Sequence, residues 1–87
     1  MADQPIQFSK HARFEMKRRG IARTAVVAAI REPGQIVPSV NGREVYQSLI
    51  GRSGRLLLRV VVKEDENVYH VVTAYKTSQV QKYWRDS

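Results

Sequence analysis

The chain has 87 residues, 43% of them apolar and none of them cysteine, and its 15 Lys+Arg against 8 Asp+Glu give a formal net charge of +7. That length supports one domain with a modest core and a thin stability margin, and the lack of cysteine excludes disulfides and thiolate metal sites. No apolar run approaches the roughly 18 residues that a bilayer span needs, and Met1–Pro5 does not read as a signal peptide, so the expected location is cytoplasmic with no membrane partner.

Residues 1–7 read as a loose lead-in, with the ordered core expected over about residues 8–84 of a single domain, 1–87. Ser9 is a good helix N-cap, and a helix is predicted over Lys10–Arg19, closed by Gly20 behind the basic turn Lys17-Arg18-Arg19. The apolar run Ala25–Ile30 predicts a second, more buried helix that ends near Arg31, stopped by Pro33-Gly34. The period then changes to two. Ile36–Val40 and Arg43–Ile50 read as strands joined by Asn41-Gly42, a strong hairpin signal. After a turn at Gly51–Gly54, Arg55–Lys63 is apolar at nearly every position and reads as a central strand. Glu64–Asn67 reads as a hairpin loop, Val68–Lys76 as the fourth strand, and Thr77–Arg85 as a tail or short helix. Short hairpins favour antiparallel pairing. The expected fold is therefore α+β, with two N-terminal helices packed on one face of a four-stranded antiparallel sheet.

The charge points to a polyanionic partner, because such an excess attracts nucleic acid and speeds encounter with it. Arginine exceeds lysine ten to five, and the planar guanidinium suits phosphate. Metal chemistry is not expected: His11 and His70 are far apart, and Glu64-Asp65-Glu66 reads as a solvated loop tip. No nucleophile elbow or glycine-rich phosphate loop is present. What remains is a set of histidine, arginine, lysine, threonine and tyrosine. That set suffices for RNA, which carries its own nucleophile in the 2′-OH. An enzyme then needs only proton transfers and stabilisation of the phosphorane charge. His11, near a helix N-terminus, is the candidate base, whereas His70 reads as a half-buried structural residue on a strand face with Val68 and Val72. Alternation puts Leu56, Leu58, Val60 and Val62 toward the helices and projects Arg59 from the opposite face. Tyr69, Val71, Thr73 and Tyr75 are expected to share one face of the last strand. If Thr73 and Tyr75 lie on the Arg59 side, then guanidinium, hydroxyl and phenol converge there. Aromatics interleaved with basic residues suggest base stacking. The residues expected to bind nucleic acid are Arg18, Arg43, Tyr46, Arg55, Lys76, Lys82 and Trp84, although Tyr83 and Trp84 read slightly better as the dock for the C-terminal tail.

The stretches His11-Ala12-Arg13 to Arg18-Arg19-Gly20-Ile21, Gly54-Arg55-Leu56 to Val62, Val71-Val72-Thr73-Ala74-Tyr75-Lys76-Thr77-Ser78 and Lys82-Tyr83-Trp84 resemble a small bacterial family of domains of unknown function. That family is similar to the RelE/ParE-like toxins, which share a fold with barnase-, EndoU- and colicin-type ribonucleases. The resemblance implies a RelE-like fold and a metal-independent endoribonuclease needing no cofactor, often in a toxin–antitoxin setting. It implies His11 as the helix histidine, Arg59 as the strand arginine, and Thr73 and Tyr75 as the hydroxyl pair of the last strand. Members often carry a further lysine where this chain has Gln79-Val80-Gln81. The leading expectation is thus an RNA-cleaving toxin, with His11 as general acid/base, Arg59 with Lys76 or Arg43 on the phosphorane, and an acidic antitoxin or immunity protein as partner. The competing expectations are a non-catalytic RNA- or DNA-binding module and a basic protein-interaction domain.

Overall fold

In the computed structural model, described over residues 4–85, the elements follow in the order β1 (Ile6–Phe8), α1 (Lys10–Arg19), α2 (Arg23–Arg31), β2 (Gln35–Pro38), β3 (Glu44–Ile50), β4 (Leu56–Asp65), β5 (Val68–Thr77) and α3 (Val80–Tyr83). The first helix starts where Ser9 accepts a hydrogen bond from the Ala12 N–H at 2.9 Å. It ends at Gly20, whose φ of 66° is left-handed and lets the Ile21 N–H reach back to the Met16 carbonyl at 2.8 Å. That reach closes the helix and satisfies carbonyls that would otherwise lack partners. In the hairpin after β2, both Asn41 and Gly42 have positive φ, the backbone twist that suits a right-handed strand pair. Glu66 and Asn67 do the same between β4 and β5. The paired strands therefore run to Asp65 and Val68, and the loop is shorter than Glu64–Asn67.

The fold is α+β, but the expected four-stranded antiparallel sheet is overturned. The sheet has five strands in the order β1-β5-β4-β3-β2, and β1 runs parallel to β5, with Ile6 opposite Tyr69 and Phe8 opposite Val71. A third helix follows the last strand. Within the expected lead-in, residues 1–3 lie outside the described residues, while Ile6–Phe8 form a strand. Three residues are too few to display an alternating pattern. What holds them is non-local: the Tyr69 N–H donates to the Pro5 carbonyl at 2.9 Å and the Ser9 N–H to the Val71 carbonyl at 3.2 Å. Ile6 and Phe8 also pack against the core.

The main core lies between the sheet and the first two helices. Ala12, Met16, Ile21, Val26, Ala29 and Ile30 meet Tyr46, Leu58, Val60, Val62, Val71 and Ala74 there. Leu56 is the exception to the alternation expected of β4, at 38% exposure beside the turn. A bulge then divides β5. Val61 pairs with Thr73 but Val62 pairs with Val71, leaving Val72 as the extra residue. Tyr69 and Val71 therefore face the helices while Thr73 and Tyr75 face away, so the shared face expected for these four residues is split. The same shift puts His70, opposite Lys63, on the face away from the helices.

That far face is not bare. Val37, Val45, Gln47 and Leu57 are all buried, although Val37, Val45, Gln47 and Leu57 lie outside the helix-side core. The segment after β5 packs on this face at Gln47 and Gly34. Trp84 stands over Gly34 so closely that a Cβ added there would meet the indole Cη2 at 2.9 Å and the Gln47 carbonyl oxygen at 3.1 Å. No helix among the described residues is long and apolar enough to cross a membrane.

Candidate nucleic-acid interface

Four polar side chains form a row across the tail-side face. Gln35 of β2 pairs with Gln47 of β3, Gln47 with Arg59 of β4, and Arg59 with Tyr75 of β5. Directly paired residues share a face, so the side chains meet in sequence. The Gln47 amide nitrogen donates to Gln35 Oε1 at 2.8 Å and to the Tyr83 carbonyl at 3.1 Å. With its nitrogen engaged twice, Gln47 must present Oε1 to Arg59, which donates through Nε at 2.9 Å. Arg59 Nη1 donates to the Tyr75 hydroxyl at 2.6 Å. Gln35 closes the other end, accepting from the Arg85 N–H at 3.0 Å and donating to the Arg85 carbonyl. Apolar rows flank this polar one: Val37, Val45 and Val61 on one side, Leu49 and Leu57 on the other.

The row fixes the direction of one cation. The Arg59 guanidinium lies over the Tyr83 ring at 4.1 Å from its centroid and near the Tyr75 ring at 5.8 Å. Every ion pair among the described residues belongs to Glu15, with Arg18 and Arg19, so no carboxylate neutralises Arg59. A half-buried guanidinium is costly to desolvate. Gln47, the tyrosine hydroxyl and the ring faces offset that cost in part. Two guanidinium bonds are made here, and the remaining N–H donors of the fork are open to an anion. Tyr75 accepts from Arg59 and so retains its own proton to donate. Thr73, half-buried, stands one row away opposite Val61 on the same face.

The other sequence-derived candidates are dispersed. His11 is exposed on α1, on the opposite side of the sheet, with no hydrogen-bonding partner among the described residues. Its neighbour Glu15 is held below the usual carboxylate range, chiefly by its hydrogen bond to Arg18, and that pairing occupies Arg18. Tyr46 is removed from any stacking surface: it is buried on the helix side, edge-on to Tyr69 at 5.9 Å. Burial there pushes its hydroxyl up to about 12. Lys76 is opposite Leu58 and so stands on the helix side of β5. Arg43 is half-buried just after the Asn41-Gly42 turn, with Nε enclosed and without a partner among the described residues. Arg55 and Lys82 are exposed and line one cleft, and Lys82 Nζ lies 5.2 Å from the Tyr83 ring centroid. Trp84 is half-buried on Gly34 and anchors the tail.

Sequence reasoning missed Gln35, Gln47 and the position of His70. A lone glutamine in a strand carries no chemical signature. The alignment of both glutamines with Arg59 depends on register across four strands, and the side that His70 takes depends on the bulge. Among the described residues no group of three or more His, Asp or Glu side chains could hold a metal ion.

A family model described as a domain of unknown function, DUF4258, matches residues 8–76, and the chain belongs to that family. No curated protein and no solved structure matches the chain.

Proposed function

We propose that the domain is a metal-independent endoribonuclease of the toxin class, holding an RNA phosphate on the tail-side face between Arg59, Tyr75 and Thr73. The observation that carries this reading is the half-buried Arg59 guanidinium, aimed by Gln47, joined to a phenol and lacking a carboxylate. The net charge of +7 adds attraction for the polyanion. The resemblance of the His11–Ile21 and Val71–Ser78 stretches to a family of domains that is itself similar to RelE/ParE-like toxins supplies the reaction class. In that reaction the 2′-oxygen attacks phosphorus, its proton passes to a base, and the 5′-oxygen leaves with a proton. Arg59 stabilises the charge on the phosphorane, and Tyr75 has a proton to give to the leaving oxygen. The expected partner is an acidic protein that covers the same face.

The test is cleavage of structured and unstructured RNAs in EDTA. Arg59→Ala should lower the rate by about 10²–10³, the usual effect of losing one charge-stabilising donor, and Tyr75→Phe should lower it as well. Intact RNA across all substrates would overturn catalysis. A second reading, RNA binding without cleavage, is favoured by the position of His11 on the other side of the sheet. It predicts salt-dependent binding that Arg59→Ala weakens and His11→Ala leaves unchanged, with no product in either case.

A further inference from the structure

We infer that a second nucleotide subsite lies beside the Arg59 row, in the cleft between the β3–β4 turn and the segment that carries α3, and that it takes a neighbouring nucleotide of the same RNA strand. The inference rests on the RNA reading above. The cleft has a volume of about 720 Å³ and is lined by Gly54 and Arg55 on one side and by Ser78, Gln79, Val80 and Lys82 on the other. That volume falls within the roughly 300–1,000 Å³ of small-molecule sites. Its lining surface is largely apolar, and its charged groups are the two cations, with no carboxylate among the lining residues. Such a lining suits a base laid against apolar surface, with its phosphate at a cationic rim.

The cleft also continues the Arg59 site. Arg55 immediately precedes Leu56, the first residue of β4, and so lies at the end of the strand that carries Arg59. From Leu56 to Arg59 is three steps along β4, about 10 Å, a gap that a short run of single-stranded RNA bridges. Tyr83 follows Lys82 of the cleft, and its ring centroid lies 4.1 Å from the Arg59 guanidinium and 5.2 Å from Lys82 Nζ. A strand leaving the Arg59 phosphate past Tyr83 therefore meets Lys82 and Arg55 next. Arg52, Arg85 and Lys63 add charge elsewhere, but they do not line this cleft.

The test measures binding of a 2′-O-methyl RNA dodecamer, which lacks the nucleophile, to the full chain by fluorescence anisotropy over a series of salt concentrations. The Arg55→Ala/Lys82→Ala double variant should flatten the slope of log K against log salt by about 1.4, two lost contacts at about 0.7 each for single strands. A dinucleotide monophosphate, long enough only for the Arg59 row, should bind both proteins equally. Ser78→Trp, which fills the cleft without removing charge, should weaken the dodecamer and spare the dinucleotide. An unchanged slope in the double variant, or equal weakening of both probes by Ser78→Trp, would overturn the second subsite. Arg59→Ala separates this from the parent reading. If Arg59→Ala weakens both probes while the cleft variants change nothing, the subsite alone fails. If Arg59→Ala changes neither probe, the phosphate-holding role of Arg59 fails and the subsite fails with it.

Discussion

The two faces of this sheet are built by different means. Toward α1 and α2 the strands present Leu58, Val60, Val62, Val71 and Ala74 to an apolar helix layer, and nearly all of the fitting is side-chain packing. Toward the tail they present Val37, Val45 and Leu57 with a row of four hydrogen-bonded polar groups between the apolar rows, and the tail is hydrogen-bonded to that row at Gln35 and Gln47. Packing is non-directional and tolerates small shifts in position. The polar row is directional, because each donor has one assigned acceptor and Gln47 has 0% exposure to make up a loss with water. The helix side therefore supplies stability, while the tail side supplies orientation, and it is on the tail side that Arg59 is aimed.

The largest expected effect falls on the helix side. Leu58→Ala removes a side chain at 1% exposure from the centre of the packing, and should cost about 2–5 kcal/mol, measured by denaturant unfolding, with little change in how Arg59 is held. On the tail side, Gln47→Ala should cost about 1–3 kcal/mol, because it strands Arg59 Nε and the Tyr83 carbonyl together. It should also weaken RNA binding, which Leu58→Ala should not do in the folded fraction. Equal effects of both variants on RNA binding would dissolve the contrast between the faces.

Gly34→Ala drives a methyl against Trp84 and the Gln47 backbone. The expected cost is about 1–3 kcal/mol from overpacking, with Trp84 fluorescence shifting to the red as the tail lifts. Tyr83→Ala removes the ring over Arg59 and should cost about 0.5–1 kcal/mol, without exposing Trp84. The smallest effect is on α1. Glu15 has a depressed pKa in the folded state, chiefly through its bond to Arg18. Its contribution is therefore present above the unfolded carboxylate value of about 4.3 and is lost as pH falls through the folded value. Arg18 is 58% exposed, so solvent screens the pair. Denaturation midpoints measured against pH should fall less steeply on the acid side for Glu15→Gln than for the parent chain.

Much of the fold was legible because its signals are local. Ser9 and Gly20 bound α1, Pro33-Gly34 follows α2, and Asn41-Gly42 turns β2 into β3, each through the conformational preferences of a few adjacent residues. The alternation of β4 placed Arg59 opposite the helix-packed side chains. The β1 strand was not legible, since it is three residues long and its partner lies over sixty residues away. Half of the candidate site was legible in the same sense: Arg59, Thr73 and Tyr75 stand out as polar groups in apolar strands. Gln35 and Gln47 do not, and Tyr46 looked available for stacking until burial placed it among the core residues.

The sequence by itself determined a basic α+β domain, the bounds of its first helix, its hairpins and an arginine standing out from a central strand. Those features follow from charge and from preferences that act within a few residues. Only the tertiary structure decided that β1 adds a parallel edge, that a bulge at Val72 splits the last strand between faces, and that two glutamines bind the tail to Arg59. Each of these is a matter of register between distant segments. A shift of one residue would have sent the same side chains to the other face.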